Sequence, residues 1–129
     1  MRAVLVSVLM VLCSSVFAHE GHDDAPGSVK AFHGGVVKTG RGLNLEVIST
    51  AGELKVFPLA HGGGDIPLNE VKLVGTAQPP KGKALPIAFE SKDGAFYSKI
   101  DFKGAYRLSV ELKAEYKGKI DKIKVQVEQ

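Results

Sequence analysis

The chain has 129 residues, 17 basic and 14 acidic, with a formal charge of +3, four histidines, one cysteine and no tryptophan. That length bounds it to one domain with a modest core of Val, Leu and Ile. The small basic excess is interleaved with acids: Glu111, Glu115, Asp121 and Glu128 stand among Lys113, Lys117, Lys119, Lys122 and Lys124. That pattern reads as a solvated strand face and argues against a nucleic-acid surface.

In chain order, residues 1–18 read as a cleaved signal peptide. Arg2 is the positive n-region, Ala3 to Leu12 the apolar h-region, and Val16-Phe17-Ala18 the cleavage site. The apolar run is shorter than the about 20 residues of a membrane span, so no membrane insertion is expected after cleavage. Leu12 before Cys13 does not suit a lipobox, which wants a small residue there. Cleavage after Ala18 removes Arg2 and Cys13, leaving 16 basic against 14 acidic residues and no cysteine. The expected location is the periplasm. Disulfides and thiolate metal sites are then excluded despite the oxidising compartment.

Residues 19–32 are rich in His, Asp, Gly, Pro, Ser and Ala and have neither helix nor strand periodicity, which predicts a flexible arm. Residues 33–129 show period-two alternation broken by turn residues. Val36-Val37 is a first short strand, and Thr39-Gly40-Arg41-Gly42 a turn. Leu43, Leu45 and Val47 alternate with Asn44 and Glu46. After Thr50-Ala51-Gly52 comes a strand through Leu54 and Val56, ending near Leu59. Pro58 places that strand at an edge or at its end.

The stretch from Ala60 to Pro67, with three successive glycines, is a loop. Val71, Leu73 and Gly75 form a weaker strand, and Pro79-Pro80-Lys81-Gly82 a break. Leu85, Ile87 and Phe89 alternate as one strand. Ser91-Lys92-Asp93-Gly94 is a hairpin turn. Phe96, Ile100 and Phe102 share a face, and Tyr106 to Leu112 is the clearest strand, apolar on one face and polar on the other. Ile123, Val125 and Val127 close the sheet. The sum is seven or eight strands and no helix, an antiparallel β-sandwich of immunoglobulin-like or related topology. The Cys…Trp…Cys core of immunoglobulin domains is absent.

The chemistry-bearing residues gather at the junction of arm and sandwich. His19, His22, Asp23 and Asp24 lie in the arm, His33-Gly34-Gly35 at its end, and His61 in the glycine loop. Imidazole binds late first-row metals without a reducing environment, and short His-rich tracts are a compositional sign of metal binding. Once freed, the amine and ring of His19 together can chelate Cu(II), with His22 or His33 completing the site and Asp23 or Asp24 as weaker ligands. Whether His61 joins is left open by the sequence. Each residue also has an ordinary reading: a solvated tail, a turn into the first strand, a loop histidine.

His19-Glu20-Gly21-His22, His33-Gly34-Gly35-Val36-Val37, the strand from Leu43 to Val47 and that from Gly52 to Val56 together resemble a small metal-associated β domain. That domain occurs in periplasmic adaptor subunits of heavy-metal efflux pumps of the resistance-nodulation-division type, and as short stand-alone periplasmic proteins. The resemblance implies a β-sandwich whose metal binding or delivery is linked to efflux, with His19, His22 and His33 as the matching positions. The chain has no room for the helical hairpin, lipoyl-like domain and barrel of a complete adaptor.

The expectation is therefore a non-enzymatic periplasmic protein that binds copper first, or zinc or nickel, and buffers or delivers it, with an efflux component as the partner that the resemblance implies. The alternative is an envelope β-sandwich that binds a protein partner through an exposed strand edge. Neither a nucleophile elbow nor His-Glu-x-x-His is present.

Overall fold

The computed structural model describes residues 30–129; the expected signal peptide and His19, His22, Asp23 and Asp24 of the expected arm lie outside the described residues. Nine strands form: β1 (Val36–Thr39), β2 (Asn44–Thr50), β3 (Glu53–Leu59), β4 (Lys72–Gln78), β5 (Leu85–Ile87), β6 (Glu90–Lys92), β7 (Ala95–Lys99), β8 (Arg107–Tyr116) and β9 (Lys119–Glu128). A 3-10 turn spans Leu68–Glu70. The first sheet runs β1-β2-β3-β7-β6 and the second β5-β4-β8-β9; every pairing is antiparallel. The all-β sandwich expected from the alternation is therefore the fold.

One apolar cluster joins the two sheets. Leu45, Val47, Leu54, Val56 and Phe96 meet Leu108, Val110, Leu112, Ile123, Val125 and Val127. Alternation decides which residues these are, because successive side chains of a strand point to opposite faces. In β8 the pattern is strict: 108, 110, 112 and 114 are buried while their odd-numbered neighbours face outward.

The strand count exceeds the expected seven or eight for a local reason. Leu85, Ile87 and Phe89 read as one strand, but the chain crosses between sheets after Ile87. β5 pairs with β4 in the second sheet, and β6 with β7 in the first. Phe89, at the crossing, packs edge-on against Phe96, with ring centroids 6.4 Å apart. Likewise β7 ends at Lys99, and Ile100 and Phe102 enter the core from the following turn. Asp93-Gly94 forms the expected hairpin with φ of 52° and 77°.

Pro58 marks the end of its strand. It pairs in register with Leu45 of β2, but β7 covers β3 only from Glu53 to Val56. The Pro58 carbonyl points away from β2 and accepts from Ile66 N–H at 3.0 Å. The ring nitrogen therefore also faces the side that β7 has vacated, where its missing N–H removes no ladder bond.

Asp121 ties the sheets together at one end. It sits buried in β9 and accepts from the backbone N–H groups of Arg41 and Gly42, both at 2.8 Å, in the turn between β1 and β2. Burial pushes its carboxyl up, but those bonds, one from Leu43 and the charge of Arg41 outweigh it and hold it below the usual value.

Candidate functional site

The outward face of the first sheet carries the site. On β2, Asn44 and Glu46 alternate with the core residues and face away from the second sheet. Such positions ordinarily meet water, yet both are fully buried. The register supplies the reason. Leu59 lies opposite Asn44, and Phe57 opposite Glu46. The loop after β3 then folds back so that Asp65 bridges to Leu59. The segment from Phe32 to Gly35 lies over Glu46.

Glu46 organises that segment. Its Oε1 accepts from His33 N–H at 2.7 Å and Gly35 N–H at 2.9 Å. Its Oε2 accepts from Phe32 N–H at 3.1 Å and pairs with His33 Nδ1 at 2.9 Å. Burial pushes the Glu46 carboxyl up. The bonds from the Gly35 N–H, the His33 ring and the His33 and Phe32 N–H groups together outweigh burial and hold it below its ordinary value. Two glycines make the wrap possible. Gly34 has φ of +80°, and a Cβ on Gly35 would stand 2.6 Å from the Val47 carbonyl oxygen.

His33 is fixed on two sides. Its ring stacks on Phe57 with centroids 3.8 Å apart and planes 6° from parallel. An ionised carboxylate only accepts hydrogen bonds, so the Nδ1 facing Glu46 carries the proton. In the neutral ring the lone pair is then on Nε2. That nitrogen stands 3.7 Å from Asp65 Oδ1; the His33 side chain is 28% exposed and that of Asp65 73%. A buried carboxylate orienting one ring nitrogen while the other faces solvent is the arrangement that supports metal-ligating histidines.

His61 is placed differently. Its Nε2 lies 2.9 Å from the Gly40 carbonyl oxygen and so donates to it, latching the glycine loop to the turn after β1. Among the described residues, no group of three or more His, Cys, Asp or Glu side chains is placed to hold a metal ion. The structure thus pairs His33 with Asp65 and does not bring His61 into a larger donor set. Asn44 has neither amide atom hydrogen-bonded within the described residues.

Sequence reasoning singled out His33 and missed Glu46, Phe57 and Asp65. Glu46 sits at a polar position of an alternating strand, where a solvated glutamate is ordinary. Phe57 carried a weak sign, being an aromatic on the face where Lys55 points outward. Nothing in the sequence pairs Asp65 with His33.

Comparison with known proteins finds no matching family model, no similar curated protein and no similar solved structure.

Proposed function

We propose that the protein is a periplasmic transition-metal-binding protein that buffers or delivers its ion, with His33 as the anchoring ligand. The observation that carries this reading is the His33 ring, held by Glu46 through Nδ1–H and presenting Nε2 toward Asp65. Two ligands about 2.1 Å from one ion at the tetrahedral angle stand about 3.4 Å apart. The 3.7 Å between Nε2 and the carboxylate oxygen is too long for a good hydrogen bond and close to that ligand separation.

Two donors do not complete a site. The remaining ligands are assigned to His19 and His22, with Asp23 or Asp24 as weaker donors. His22 precedes His33 by eleven residues, a tether that spans at most about 40 Å and has ample length to return. A nitrogen-rich set with carboxylates as the weaker donors favours copper by intrinsic affinity, with zinc and nickel next. A role beside heavy-metal efflux rests on the resemblance carried by His19 to His22, His33 to Val37 and the two strands that follow.

Calorimetric titration of Cu(II), Zn(II) and Ni(II) into the purified protein tests the proposal. Binding should weaken at least tenfold in His33→Ala, fall less in Asp65→Ala, and survive in His61→Ala. Parental affinity in His33→Ala would end the proposal.

A further inference from the structure

The two ends of the sandwich differ. The loop from Ala60 to Pro67 and the turn held by Asp121 lie at one end. The turns after β2, β4 and β7 lie at the other, where Ile100 N–H bonds to the Gly52 carbonyl at 2.7 Å. At that second end the turn after β4 and the turn before β8 enclose an open groove of about 590 Å³.

The groove is amphipathic. Pro79, Pro80, Leu85 and Tyr106 give it an apolar wall, and Lys81 and Lys83 stand on the rim. Leu85 and Tyr106 are 48% and 68% exposed, which is unusual for large apolar side chains. Lys103 also borders the groove, but its ammonium lies 3.3 Å from Asp101 and is partly neutralised. Lys81 and Lys83 have no carboxylate within 4 Å among the described residues. Besides Asp101, an acid near the groove among the described residues is Glu128, which the Tyr106 hydroxyl meets at a long 3.4 Å.

We propose that this groove docks an acidic, extended peptide segment of a protein partner, its carboxylates on Lys81 and Lys83 and an apolar side chain against Leu85 and Tyr106. The two rim lysines set the sign of the partner's charge. The groove lies between two turns, which suits a single segment of chain. Recognition runs through side chains. β5 is an edge strand of three residues with Pro86 at its centre, and a strand lacking that N–H is a poor template for adding another. The site is independent of His33 and of any metal.

The test is a heteronuclear NMR titration of the purified protein with a short peptide of alternating Glu and Leu, beside a peptide of alternating Lys and Leu. The expected result is shift changes confined to residues 79–85 and 103–106 with the acidic peptide alone. Lys81→Glu with Lys83→Glu should weaken binding about tenfold or more, since exposed charge pairs contribute up to about a factor of five each. Tyr106→Ala keeps the charges and should also weaken it. Both variants alter exposed side chains, and a dispersed spectrum shows that they fold. No shifts, shifts elsewhere, or equal binding of the basic peptide would overturn the proposal. So would lysine-dependent sedimentation with vesicles of phosphatidylcholine and phosphatidylglycerol in the absence of peptide binding.

Discussion

Glu46→Gln separates the roles of Glu46 more cleanly than any truncation, because it keeps the shape and removes one acceptor. The wild-type carboxylate receives four hydrogen bonds, two on each oxygen. In the variant the retained oxygen keeps its two, now without charge assistance, at a loss of roughly 0.5–1.5 kcal/mol each. The amide nitrogen that replaces the other oxygen faces two donors. The imidazole can respond by moving its proton to Nε2, so that Nδ1 accepts; Phe32 N–H cannot respond and loses its partner. An unpaired amide costs about 1–3 kcal/mol, nearer the low end here because Phe32 is exposed. The total is about 3 kcal/mol, or a fall of roughly 10–20 °C in Tm for a domain of this size.

The pH dependence follows from the same carboxylate. Its folded pKa is lowered from the ordinary value of 4.5, so its contribution is fully present above that value. It is lost as pH falls through the lower folded value. Urea unfolding at neutral pH and at pH values below 4.5 reads both effects. In Glu46→Gln the neutral-pH loss should appear and the acid limb should flatten, leaving the share that belongs to Asp121 and Asp101, whose carboxyls are also held below their usual values. A proton moved to Nε2 should also weaken Zn(II) binding by about 10–100-fold. A variant within 1 kcal/mol of wild type with an unchanged acid limb would refute the reasoning.

The remaining predictions use other contacts. Gly35→Ala places a methyl 2.6 Å from the Val47 carbonyl and 2.7 Å from Ile48 Cγ1; it should cost about 1–3 kcal/mol in urea unfolding and displace the His33 ring signals in NMR spectra. Asp121→Asn leaves an amide facing the Arg41 or Gly42 N–H and should destabilise by about 1–3 kcal/mol; the unaltered Tm of such a variant would exclude Asp121 as a tie between the sheets. Asn44→Leu replaces a buried amide, whose two polar atoms have no partner among the described residues, by an apolar group of similar size. Its stability should be unchanged or raised by about 1 kcal/mol, and a loss on urea unfolding would show that the amide has a partner.

The alternation from Leu43 onward determined, by itself, that this is an antiparallel sandwich and most of the residues of its core; Leu85 and Tyr106, which fit the same alternation, stand exposed in the structure. Period-two patterning is local, and burying one face of each strand leaves few other packings. The turns at Thr50-Ala51-Gly52 and Asp93-Gly94 were legible for the same reason, since their backbone needs are written in two or three residues. His33 stood out as a candidate ligand from its neighbours alone.

Tertiary structure decided what His33 does. Its partners Glu46 and Asp65 are 13 and 32 residues away, and both occupy positions that local pattern assigns to solvent. Only the fold-back of residues 32–35 across the outer face of the first sheet buries Glu46, holds its charge and turns the ring toward Asp65. The split of β5 from β6 has the same origin: Leu85 and Phe89 share a period, but which sheet each joins is set by strands that lie far off in the sequence.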